Sequence, residues 1–149
     1  MNYVFVATGT GIAPFRAMLR ELHAMGGIPK HCQVWLLFGV RTAEDIIYDA
    51  EFRALASQYP SFHYQLALSR EMKNTDGSKK YVQHLLTDHS VELFKLLNQI
   101  NTHTYLCGLK GMEKGVAVAL SDLATQGGLD PQAFISAVTD KARYYEEVY

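Results

Sequence analysis

The chain has 149 residues, enough for one domain of ordinary size and too few for two. It is 48% hydrophobic and 19% charged, which excludes a disordered polymer. Its 14 Lys and Arg against 15 Asp and Glu leave a net charge of −1, with no sign of a nucleic-acid or membrane-surface binder. Two cysteines, Cys32 and Cys107, make neither a disulfide framework nor a four-ligand zinc site, so a reducing compartment is expected. No apolar run reaches the about 18 residues of a transmembrane helix, and the N-terminus lacks the basic lead of a secretion signal. The chain opens directly in a strand, which leads us to expect that further sequence normally precedes it.

Tyr3–Ala7 reads as a short strand ending in the turn Thr8-Gly9-Thr10-Gly11. Pro14, Phe15, Met18, Leu19 and Leu22 follow at helical spacing and stop at Gly26-Gly27. Gln33–Phe38 is a second strand, ended by Gly39. Tyr48, Phe52 and Leu55 mark a second helix. His63–Leu68 is a third strand, followed by a polar loop, Glu71–Lys80. Val82 through Leu97 predicts one long helix or two short ones. Thr104–Cys107 is a fourth strand, Met112 through Leu120 a further helix stopped at Gly127-Gly128, and Asp130-Pro131 the start of another. Tyr144–Tyr149 is β-prone. Strands that alternate with helices and are apolar on both faces predict an α/β fold with a covered parallel sheet. Ligands of such sheets sit beyond the C-terminal strand ends.

Three strand-end loops carry candidate chemistry. Gly9-Thr10-Gly11-Ile12-Ala13-Pro14 brings backbone and a helix N-terminus to where a phosphate can bind, although Pro14 stands where the dinucleotide fingerprint has its third Gly or Ala. Ser69-Arg70 opens a stretch to Lys80 with four basic and two acidic residues. An Arg fork beside a hydroxyl suits a monophosphate ester, and Tyr81 can stack on a purine. Two phosphate sites along one edge match NADP rather than NAD. The alternative for each is a tight turn and a solvated basic loop. Cys107-Gly108-Leu109-Lys110-Gly111-Met112-Glu113 is a second Gly-rich turn opening a helix. The six histidines have no metal-ligand spacing, and no Gly-x-Ser-x-Gly occurs.

Taken in order, Gly9–Arg16, Leu68-Ser69-Arg70-Glu71, Cys107–Gly115 and the terminal Glu147-Val148-Tyr149 resemble the NADP-binding domain of plant-type ferredoxin–NADP reductases, over essentially the whole chain. The resemblance implies a Rossmann-like three-layer α/β/α fold with a five-stranded parallel sheet, and a single NADP(H)-binding domain over residues 1–149. It implies that Thr10, Gly11, Ile12, Ala13 and Pro14 line the pyrophosphate and nicotinamide. Ser69, Arg70 and Lys79 would hold the 2′-phosphate, and Tyr81 would stack on adenine. Gln83 and Gly108, Leu109, Met112 and Glu113 would contact the adenosine half. Cys107 would sit near the nicotinamide, Glu147 near the flavin edge, and Tyr149 on the isoalloxazine ring. FAD would belong mainly to a β-barrel domain that this chain lacks, so hydride transfer is not expected of it alone. Ferredoxin or flavodoxin would be the electron partner, and bacterial cytoplasm or chloroplast stroma the location. Arg41 departs from the family, which typically has Pro there. A reductase feeding an oxygenase or a diflavin system is the second reading, with Cys107-Gly108-Leu109 in place of the diflavin Cys-Gly-Asp. A binding-only nucleotide module is the third.

Overall fold

The computed structural model describes residues Met1–Tyr149. Five strands form one all-parallel sheet: β1 (Asn2–Thr8), β2 (Val34–Val40), β3 (Phe62–Leu68), β4 (Thr102–Gly108) and β5 (Tyr144–Val148), in the spatial order β3-β2-β1-β4-β5. Six helices complete the chain: α1 (Ala13–Ala24), α2 (Asp49–Gln58), α3 (Val82–Asp88), α4 (Ser90–Leu97), α5 (Met112–Gln126) and α6 (Pro131–Val138). None is long and apolar enough to cross a membrane.

The pleat divides the core. Phe5 and Ala7 of β1 join Leu36 and Phe38 of β2 against Phe15 and Leu19 of α1 and Phe52 of α2. Val4 and Val6 point the other way, with Leu37 and Leu106, against α3 through α6. This is the expected three-layer α/β/α arrangement. Alternate side chains feed opposite layers because successive Cβ atoms leave opposite faces of a strand. The inner strand β2 is buried throughout, whereas β3 and β5, at the two edges, are only partly covered.

Local differences from the sequence reading have physical causes. β2 runs through Gly39 to Val40 rather than ending at Phe38, because Gly39 pairs with both Thr8 and Ala67. Its missing side chain leaves room for Val82, whose Cβ would lie 2.8 Å from an added methyl. The apolar stretch from Val82 to Leu97 is two helices, broken at His89. Asp130 caps α6 by accepting the Ala133 N–H at 3.0 Å, as the Asp-Pro pair predicts. Tyr48, ahead of α2, is the one non-glycine residue with positive φ, 63°, and the Arg16 guanidinium stacks on its ring at 4.0 Å.

Candidate functional site

The strand order reverses between β1 and β4, with Ala7 opposite Cys107 at their C-terminal ends. From there α1 leaves on one face of the sheet and α5 on the other, so a crevice opens at the strand ends. Two turns form its lip. The first, Gly9–Ile12, is a single 3-10 turn leading into α1. Gly11 presses on β4 so closely that a Cβ there would lie 2.5 Å from the Cys107 carbonyl carbon and 2.8 Å from Gly108 Cα. The second turn begins at Gly108, whose φ of 153° few side-chain-bearing residues adopt. The Leu109 N–H donates to Thr8 Oγ1 at 3.0 Å and ties the two turns together.

A cleft of ≈ 840 Å³ occupies this edge. Of the residues predicted for the site, Thr10, Ser69, Tyr81, Gln83, Leu109 and Met112 form its wall. The Gln83 side chain packs over Gly115, where a Cβ would lie 2.8 Å from it. Gly11 and Gly108 supply the backbone junction behind the wall. The Ile12 side chain is wholly buried in the core below, while Ala13 and Pro14 are exposed at the start of α1. Glu113 is drawn back onto its own turn. Its carboxylate accepts the Gly111 N–H at 2.8 Å, and backbone N–H donors hold it below the usual carboxylate range.

The basic loop follows β3 at the same edge of the sheet. The Ser69 N–H donates to the Val40 carbonyl at 3.0 Å and the Arg70 N–H to the Arg41 carbonyl at 2.9 Å, so the ends of β2 and β3 are zipped together. Ser69 faces the cleft, but the exposed side chains of Arg70 and Lys79 are not part of its wall. Lys79 pairs with Lys73 in a small hairpin closed by Asn74 and Ser78. Lys80 pairs with Asp88 at 2.6 Å. Arg41, Asp45 and Ile47, after β2, line the cleft; the sequence reading marks Arg41 only as a departure from the family and does not single out Asp45 or Ile47.

At the β4–β5 end, Cys107 and Glu147 are register partners. Cys107 is only 7% exposed. Burial, and then the nearby Glu147 carboxylate, push its thiol above the usual range. Glu147 itself is exposed. Tyr149 is held at three points: its N–H donates to the Gly108 carbonyl at 3.0 Å, its carbonyl accepts the Lys110 N–H at 2.8 Å, and its hydroxyl pairs with that of Thr10. The ring therefore stands beside the first turn, 56% exposed. Histidines serve structural bonds: His84 Nδ1 accepts the Tyr81 N–H at 2.9 Å, and His63 Nε2 pairs with Gln33 at 2.8 Å.

Comparison with known proteins agrees with this geometry. Residues 5–117 match the family model described as the oxidoreductase NAD-binding domain. The chain is 40% identical over 151 residues to a ferredoxin–NADP reductase of Thermosynechococcus vestitus, covering 98% of this chain and 39% of that one. It is 40% identical over 152 residues to the chloroplastic root isozyme of ferredoxin–NADP reductase from Oryza sativa subsp. japonica, covering 99% and 40%. With a ferredoxin–NADP reductase of a Spirulina species the identity is 36% over 154 residues, covering 98% and 51%. The chain thus spans between 37% and 51% of the length of the curated relatives it matches. The family match, the parallel sheet and the crevice at its switch point agree, and the chain belongs to the oxidoreductase NAD-binding domain family.

Proposed function

We propose that this protein is the NADP(H)-binding part of a ferredoxin–NADP reductase. One observation carries the reading: the cleft joins a glycine turn at the end of β1 to Ser69 at the end of β3, along the edge where sheets of this kind hold dinucleotides. Its wall contains two cations, Arg41 and Lys110, against one carboxylate, Asp45, a balance suited to a phosphorylated ligand. Its volume falls within the range of small-molecule and cofactor sites, about 300–1,000 Å³.

In this reading the backbone of Gly9–Ile12 and the start of α1 receive the pyrophosphate. Ser69 and Arg70 hold the 2′-phosphate with Lys79 assisting, and Tyr81 stacks on adenine. Gln83, Leu109 and Met112 bound the adenosine half. The same roles carry the preference for NADP over NAD, because a charged fork aimed at a phosphate is left unpaired by a hydroxyl. Bound nicotinamide would give or take the hydride, and the flavin that exchanges it would be held elsewhere in the longer reductase. Cys107 offers a neutral, buried wall to the nicotinamide face. Glu147 presents an exposed carboxylate that can relay a proton at the reacting edge. Tyr149 occupies the nicotinamide position until the ring is displaced. Ferredoxin or flavodoxin takes part through the full reductase, in bacterial cytoplasm or chloroplast stroma.

Calorimetric titration of the chain with NADP⁺ and NAD⁺ tests the reading. Clearly tighter binding of NADP⁺ supports it, and equal binding or no binding of the two overturns it.

A further inference from the structure

Arg41 begins the segment after β2, between the glycine turn that ends β1 and Ser69 at the end of β3. The backbone bonds from Ser69 to Val40 and from Arg70 to Arg41 fix it beside Ser69. Its side chain is 66% exposed, and Nε lies 3.7 Å from an Asp45 oxygen, too far for a hydrogen bond. Asp45 is less free. Its carboxylate accepts both the Thr42 N–H, at 3.2 Å, and the Thr42 hydroxyl, at 3.1 Å. The carboxylate is therefore anchored to its loop, while the guanidinium beside it keeps its donors available.

We propose that Arg41 is a further specificity residue of this cleft, joining Ser69 and Arg70 in accepting a 2′-phosphorylated adenine nucleotide and offsetting the fixed carboxylate of Asp45. The inference rests on the nucleotide reading above and deepens it. Asp45 is the only carboxylate in the cleft wall. Alone, such a group favours a ribose hydroxyl, which can donate to it, and repels a phosphate dianion. A guanidinium beside it reverses that sign and offers a fork matched to two phosphate oxygens. Lys110, the other cation of the wall, belongs to the turn after β4, across the crevice. Arg70 and Lys79 stand outside the wall. Arg41 is thus the cation of the cleft at its Ser69 end.

Calorimetry with 2′,5′-ADP and 5′-AMP tests this, because the two ligands differ only in the 2′-phosphate. Arg41→Gln is expected to weaken 2′,5′-ADP about tenfold, the loss of one charge-assisted contact at an exposed position, and to leave 5′-AMP within about twofold. Arg41→Lys, which keeps the charge without the fork, should fall between. Asp45→Asn should tighten 2′,5′-ADP about two- to fivefold, the size of a partly screened repulsion. Unchanged thermal melting establishes that each variant is folded. Equal weakening of both ligands by Arg41→Gln places Arg41 at the shared 5′-phosphate and overturns the proposal, as does no change in either. A folded wild-type chain that binds neither ligand overturns the nucleotide reading, and this inference with it.

Discussion

Arg143 immediately precedes β5, the strand that carries Glu147 and Tyr149. Its guanidinium is buried, the residue being 7% exposed, without a carboxylate bonded to it. Instead Nε donates to the Ala137 carbonyl at 2.9 Å, and Nη1 reaches the carbonyls of Leu97 at 3.0 Å, Gln99 at 2.9 Å and Thr102 at 3.3 Å. Leu97 ends α4 and Ala137 lies in the last turn of α6, so one cation satisfies carbonyls at two helix C-termini, where the helix dipoles favour it. Burial nonetheless lowers its proton affinity below that of a free guanidinium. Arg143→Met keeps a long stem and removes every donor. The charged bonds are each worth about 1.5–3 kcal/mol, and the relief of burying a charge offsets part of their sum, leaving a net loss of about 3 kcal/mol. For a chain of this size that lowers Tm by about 6–12 °C. Urea denaturation should show the loss in the midpoint, and amide exchange should show β5 opening first. A loss below about 1 kcal/mol would refute the reasoning, since it would mean that the carbonyls find other donors without the guanidinium.

Gly11→Ala places a methyl group against the backbone of Cys107 and Gly108, which flexible side chains cannot relieve. A destabilisation of about 2–3 kcal/mol or more is expected by chemical denaturation, against a few tenths if the turn can shift. Tyr149→Ser removes the ring held beside Thr10 and should raise affinity for NADP⁺ more than for 2′,5′-ADP; equal effects on the two would argue against a ring standing in the nicotinamide position. His63, stacked on Trp35 at 4.4 Å, has its proton affinity lowered mainly by burial, with Glu92 opposing and His89 reinforcing the shift. A base that binds protons more weakly when folded costs stability as pH falls below the unfolded value of about 6.5. The urea midpoint should therefore drop between pH 7.5 and 5.5, and His63→Gln should flatten that slope; an unchanged slope contradicts the assignment.

The central sheet was legible because β1 and β2 are buried on both faces and so write continuous apolar runs, Tyr-Val-Phe-Val and Val-Trp-Leu-Leu-Phe. β5 writes no such run. It is an edge strand whose middle three residues are exposed, and only its β-prone composition pointed to it. Gly39 was read as a strand end since glycine usually punctuates, but close packing of Val82 requires it inside the strand. The left-handed turn at Tyr48 had no sequence signal. Six predicted site residues form the cleft wall, yet composition could place Arg70 and Lys79 only on the loop and could not show that their side chains stand outside the wall. Arg41 and Asp45 were findable by the rule already applied to the other loops, since they too follow the C-terminal end of a strand.

The proposed NADP-type ligand lies along the edge from the Gly9–Ile12 turn to Ser69. Amide chemical-shift mapping with 2′,5′-ADP tests it most directly. Saturable shifts are expected at Gly9–Ile12, at Arg41, at Ser69 through Gln83 and at Leu109–Glu113, with 5′-AMP moving the Arg41 and Ser69 amides far less. Shifts clustered instead around Arg53 and Tyr64, at a separate surface depression, would contradict it.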